Sequence, residues 1–75
     1  MKVFLAGGSG AIGKRLIPML VTAGHNVVAT TRTPAKTNLL RALGAKPFAL
    51  DALNRTAVIQ AVAAAEPDVV VHEVR

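Results

Sequence analysis

The stretch Gly7-Gly8-Ser9-Gly10-Ala11-Ile12-Gly13 constrains this chain more than any other. It follows a short apolar run, Val3-Phe4-Leu5-Ala6, and opens a helical pattern that begins near Ala11. A strand, a glycine-rich turn and a helix in that order make an anion-binding corner. The first N–H groups of the helix lack intrahelical partners and point at the turn, and the helix dipole adds partial positive charge there. A side chain on the turn would hold a phosphate away from those donors, so glycine is the residue the chemistry needs.

Three spacings fit the same residues. Gly8, Gly10 and Gly13 match G-x-G-x-x-G, the dinucleotide fingerprint, and Gly7, Gly10 and Gly13 match G-x-x-G-x-x-G. Gly8 to Lys14 also matches G-x-x-x-x-G-K, but Arg15 stands where a P-loop needs a Ser or Thr hydroxyl for magnesium. That departure argues against a nucleoside triphosphatase. A tight strand-to-helix turn without a ligand is the remaining alternative, and the strand before and helix after favour a dinucleotide over it.

The chain has 75 residues, enough for one small domain or a piece of a larger one. At this length folding removes only about 60% of the unfolded chain's surface from water. There are no cysteines, so no disulfide staples the fold. His25 and His72 each stand without a second ligand at metal-binding spacing. The apolar runs are too short to span a bilayer, and Gly7 to Gly10 interrupts the early run that mimics a signal peptide, so a cytoplasmic location is expected. The net charge is +5. Its basic residues are scattered, and Tyr and Trp are absent, so nucleic acid is not the expected partner. A solvated basic surface that mildly attracts phosphate-bearing ligands is preferred.

Strand one is expected over Lys2 to Ala6, almost wholly apolar, as suits a central parallel strand. The first helix is expected from Ala11 to Ala23, with Ile12, Leu16, Leu20 and Ala23 facing the sheet, a kink at Pro18 and a cap at Gly24. Asn26 to Thr30 reads as strand two, with Val27 and Val28 as its core. Thr33 then caps a second helix, with Pro34 as its first position, that carries Leu39, Leu40 and Leu43 to Gly44. Lys46 to Leu50 reads as strand three, and Pro47 suits a sheet edge. Asn54 caps a third helix, Arg55 to Ala65, with Val58, Ile59 and Val62 as its buried stripe and alanines for propensity and tight packing. Glu66-Pro67 stops it, and Asp68 to His72 is strand four. The order β-α-β-α-β-α-β, with right-handed crossovers, predicts an α/β fold: a truncated Rossmann-like half, four parallel strands in the order 3-2-1-4 with helices on both faces. The glycine turn then sits at the mouth of the crevice between strands one and four.

The end of strand two distinguishes the two nicotinamide dinucleotides. NAD use normally needs a carboxylate there for the ribose hydroxyls. This chain has Thr30-Thr31-Arg32-Thr33, and no carboxylate stands between Lys14 and Leu50. Arg32 suits a 2′-phosphate through charge and a planar fork of donors, so NADP(H) is preferred with NAD(H) as the alternative. Asp51, at the end of strand three, either accepts the adenine amino group or caps the following turn. His72 ends strand four near where a nicotinamide ribose would lie; a lone histidine there is more often structural. His25, in the turn at the opposite edge, has no proposed role. Ser9 offers donors to phosphate, and no partner base marks it as a nucleophile.

The residues Val3 to Gly13, Arg32 with Thr33-Pro34-Ala35-Lys36, Leu43-Gly44-Ala45, Leu50-Asp51-Ala52-Leu53 and Pro67 to His72 run in an order that resembles a known family. It is the N-terminal half of the short-chain dehydrogenase/reductase superfamily. The resemblance is closest to the extended and atypical branches: NAD(P)-dependent epimerase/dehydratase-like and NAD(P)H-binding reductase-like proteins. It covers nearly the whole chain. The resemblance implies that Gly7, Ser9, Gly10, Ala11 and Ile12 line the pyrophosphate and that Gly13 allows close helix-to-strand packing. It further implies that Arg32 meets the 2′-phosphate, Asp51 and Ala52 the adenine, and the His72 region the nicotinamide side.

Some residues depart from the pattern. Ala6 replaces a Thr often found before the first glycine, and Glu73-Val74-Arg75 departs from the small-residue run usual after the histidine. The family's Tyr-x-x-x-Lys pair has no counterpart, since the chain has no tyrosine. Residues 1–75 are therefore expected to be the N-terminal portion of an NAD(P)-binding Rossmann domain, a fragment without a complete active site. The longer parent would be an oxidoreductase or nucleotide-sugar-epimerase-like protein. The alternatives are a non-catalytic dinucleotide-sensing domain and a folded fragment without activity. The open, apolar edge at Val69 to Val71 is expected to produce a homodimer.

Overall fold

A computed structural model describes residues 1–7, 11–51 and 53–72. Four strands form one parallel sheet: β1 (Lys2–Ala6), β2 (Asn26–Thr31), β3 (Lys46–Ala49) and β4 (Val69–His72), in the order β3-β2-β1-β4. Three helices connect them: α1 (Ala11–Thr22), α2 (Thr37–Ala42) and α3 (Arg55–Ala65). The fold is the Rossmann-like half expected from the order of elements, with β3 and its Pro47 at an edge.

The strands alternate their side chains between two cores. Leu5, Val27 and Ala29 meet Ile17 of α1, Leu40 of α2 and Ala45 on one face. Phe4, Ala6 and Val28 meet Phe48 and the Val58, Ala61, Val62 and Ala65 row of α3 on the other. Phe4, Leu5, Ile17 and Leu40 are fully buried, each stabilising the fold by about 1.5–3 kcal/mol relative to exposure. β1 is covered on both faces from Val3 to Ala6, which explains why those residues are all apolar.

Two helical faces differ from expectation. In α1 the face centres on the buried Ile17, flanked by Leu16, Leu20 and Val21, while Ala23 is exposed; the side chain of Ile12, also expected on this face, lies outside the described residues. Nearly every residue from Leu16 to Val21 is apolar, so composition does not fix the centre of the face, and packing on Leu5 and Val27 rotates it toward Ile17. In α3 Ile59 is 61% exposed. The partly buried row 58-61-62-65 follows the i, i+3, i+4, i+7 spacing and packs, with its alanines, against the core of Phe4.

Helix ends are closed as their sequences direct. α1 continues through Pro18 to Thr22. Gly24 donates to Val21 O and His25 to Leu20 O, each at 3.0 Å, the paired bonds of a Schellman cap. Gly44 and Ala45 repeat it on Arg41 O and Leu40 O at 3.0 and 3.1 Å. Asn54 Oδ1 accepts from Ala57 N at 3.1 Å, the expected cap of α3. The second helix begins differently from expectation. Thr33 makes no side-chain cap bond, and Pro34–Lys36 form a 3₁₀ turn before α2. Thr37 Oγ1 donates to Pro34 O at 2.8 Å, which closes that turn. Among the described residues, no helix is long and apolar enough to cross a membrane.

Candidate functional site

The register of the sheet brings the predicted site residues to one edge. Leu5 pairs with Ala29, Ala6 with His72, and Thr31 with Ala49. The carboxyl ends of all four strands therefore lie side by side. Gly7 follows β1 directly, Arg32 follows β2, Asp51 lies just past β3, and His72 is the last residue of β4. Ala11 and Ile12 begin α1, and Gly13, one position further, is buried, as tight packing of the helix on the sheet requires. Ser9, Gly10 and Ala52, also predicted to line the site, lie outside the described residues.

Gly7 has φ 87, a left-handed conformation, so the backbone turns sharply as it leaves β1. Its N–H donates to Thr30 Oγ1 at 2.8 Å. No acidic residue stands in the first turn of α1, where a carboxylate would compete with a bound phosphate for the helix's free N–H groups. β1 has β2 on one side and β4 on the other, and the chain leaves β1 in one direction and reaches β4 in the other. In open α/β sheets ligands bind at such a reversal, outside the carboxyl ends of the strands. Among the described residues, the left-handed Gly7 and the exposed Arg32 suit a dinucleotide at this edge.

Arg32 is exposed beside this corner. The residue before it, Thr31, is 2% exposed, and its Oγ1 lies 3.2 Å from Thr33 N and 3.4 Å from Thr33 O, which fixes the loop that carries the arginine. Asp51 uses a side-chain oxygen locally: Oδ1 accepts from Leu53 N at 2.9 Å, while its carbonyl accepts from Asn54 N at 2.9 Å. Of the two roles read from sequence, turn capping is the one the geometry engages, and Oδ2 remains for a ligand. Thr30 and Thr31 were not predicted as site residues. Their signal was two adjacent hydroxyls closing an apolar strand immediately before Arg32.

A cleft of about 790 Å³ lies at the opposite end of the sheet, lined by Lys2, His25, Asn26, Lys46, Phe48 and Ala65 among others. Lys2, Asn26 and Lys46 are the first residues of their strands. The carboxyl ends of the helices point this way, so their dipoles place partial negative charge here. Lys2 Nζ offsets it by donating to Ala65 O at 2.8 Å. This end has the wrong polarity for a phosphate, despite its cleft. Among the described residues, no group of three or more His, Cys, Asp or Glu could hold a metal ion.

A parallel sheet with helices on both faces and a glycine turn at the reversal point defines a Rossmann-like α/β protein. The chain matches the NAD dependent epimerase/dehydratase family over residues 3–74 and belongs to it. Membership implies a nicotinamide dinucleotide as cofactor. The chain is 41% identical over 73 residues to a 3-diazoavenalumate denitrifying reductase from Streptomyces, covering 97% of this chain and 23% of that protein. It is 33% identical to the decarboxylating sterol-4-alpha-carboxylate 3-dehydrogenase of Dictyostelium discoideum, covering 93% of this chain and 21% of that one. Among solved structures, the TT0495 protein of Thermus thermophilus superimposes with a TM-score of 0.76 at 29% identity, covering 99% of this chain and 33% of its own. The chain spans about a quarter or less of the length of these two curated relatives.

Proposed function

We propose that residues 1–75 form the N-terminal portion of an NAD(P)-binding Rossmann domain and hold NADP(H) in preference to NAD(H). The observation that carries this reading is the end of β2: an exposed arginine on a fixed loop, beside the glycine turn, in a chain with no carboxylate between Lys14 and Leu50. Gly7, Ser9, Gly10, Ala11 and Ile12 would line the pyrophosphate, the Gly7 N–H being held by Thr30 Oγ1, with Gly13 keeping the helix close. Arg32 would hold the 2′-phosphate through a charge-assisted fork. Asp51 and Ala52 would border the adenine, and the His72 region the nicotinamide ribose.

The bound nicotinamide supplies hydride transfer. The residues proposed here bind and orient the cofactor, and none of them is an acid or base placed at a reacting carbon. Hydride chemistry on a substrate thus belongs to a longer oxidoreductase or epimerase-like protein, as the names of the relatives indicate for those proteins. By itself the 75-residue chain is expected to bind without turnover. We infer as well that a second copy pairs on β4, where Val69 and Val70 are 38% and 48% exposed.

Calorimetric titration with NADPH and NADH, on the unsubstituted chain and on Arg32→Ala, tests the cofactor reading. NADPH is expected to bind more tightly, and the substitution should cost it about tenfold or more, the worth of charged hydrogen bonds, while NADH stays within about twofold. Equal affinities unaffected by the substitution would remove the case for NADP(H).

A further inference from the structure

Thr30 is fully buried at the end of β2, and a buried hydroxyl is costly unless it is hydrogen-bonded. Its Oγ1 accepts the N–H of Gly7, 2.8 Å away and one residue past the end of β1. There the ladder between β1 and β2 has run out, and the side chain takes the place of a strand carbonyl. The next residue, Thr31, points to the other face and engages Thr33. Two adjacent hydroxyls thus tie down two different pieces of chain, Thr30 the start of the glycine turn and Thr31 the loop of Arg32.

We infer that Thr30 is a positioning residue for dinucleotide binding: by holding the Gly7 N–H it fixes where the backbone of β1 leaves the sheet, and with it the turn that receives the pyrophosphate. This rests on the reading of the carboxyl edge as a dinucleotide site. Phosphate-binding turns work through several weak backbone donors at once, so an anchor that sets their common origin acts on all of them. Thr30 contacts the ligand at no point in this account. Its influence reaches the pyrophosphate through Gly7 and leaves recognition of the 2′-phosphate to Arg32.

Thr30→Val keeps the shape and removes the acceptor, and Thr30→Ser keeps the acceptor. Two readouts are needed: calorimetric affinity for NADPH and NADH, and hydrogen–deuterium exchange of the Gly7 amide by nuclear magnetic resonance. Valine is expected to weaken both dinucleotides by about tenfold, leaving their ratio unchanged, and to speed Gly7 exchange by a similar factor. Serine should keep both within about threefold of the unsubstituted chain. Unchanged binding or unchanged exchange in the valine variant would overturn the assignment. If the valine variant does not fold, loss of Gly7 protection or of binding in the folded serine variant does the same, and retention of both supports it. If the unsubstituted chain binds neither dinucleotide, the reading of the site falls and the positioning role with it. The Gly7 exchange then reports only whether the anchor exists.

Discussion

Two glycines at helix ends separate backbone strain from side-chain crowding. Gly24 and Gly44 cap α1 and α2 with φ of 91 and 101. A Cβ on Gly24 would meet nothing within 4 Å, whereas one on Gly44 would lie 3.0 and 3.1 Å from the methyl carbons of Val21. Gly24→Ala should therefore cost only the left-handed penalty of about 1–2 kcal/mol. Gly44→Ala should cost more, because Val21, partly buried against the Ile17 core, must move as well. Thermal unfolding of the two variants checks the order, and equal losses would show that Val21 yields freely. The same scale shows what the sequence conceals. The glycines, Arg32 and Asp51 stand out in the sequence as candidates because their chemistry is tied to residue type. Thr30 was not, because its role depends on the register that sets it beside Gly7.

Among the elements, the strands to within a residue, the sheet order and the caps at Asn54, Gly24 and Gly44 were readable from the sequence, whereas the cap at Thr33 was not. β1 is apolar because both faces are covered, Pro47 belongs to an edge, and Asn54 and Gly24 punctuate their helices. The facing of the helices was not fully readable. Ile59 lies outside and Ala61 and Ala65 inside, since closeness to Phe4 favours small residues over large apolar ones. β4 carries the prediction that belongs at this scale. Its backbone pairs with β1 on one side, and Val69 and Val70 remain exposed. An uncovered apolar strand edge is a template for pairing with another chain. Sedimentation of the 75-residue chain should show concentration-dependent dimers, and Val70→Lys should shift them toward monomer by placing like charges on the paired edge. A monomer throughout the micromolar range would defeat the pairing.

At the level of the whole molecule, the two ends of the sheet compete as binding sites. The amino end has a cleft that Lys2, His25 and Lys46 line. The carboxyl end has Gly7, the first turn of α1 with no acidic residue in it, and Arg32. Helix polarity favours an anion at the second and opposes one at the first. The chain's net charge of +5 raises the local concentration of phosphates but does not choose between the ends. In the proposed reading the choice is made by the direction in which parallel strands and their helices run.

A titration of the isotopically labelled chain with NADPH, followed by backbone amide shifts, tests that choice most directly. Shifts are expected to concentrate at Gly7 to Lys14, Thr31 to Thr33 and Leu50 to Asp51, with Gly24 to Asn26 and Gly44 to Lys46 unmoved. Shifts confined to the amino end, or no shifts at saturating cofactor, would contradict it.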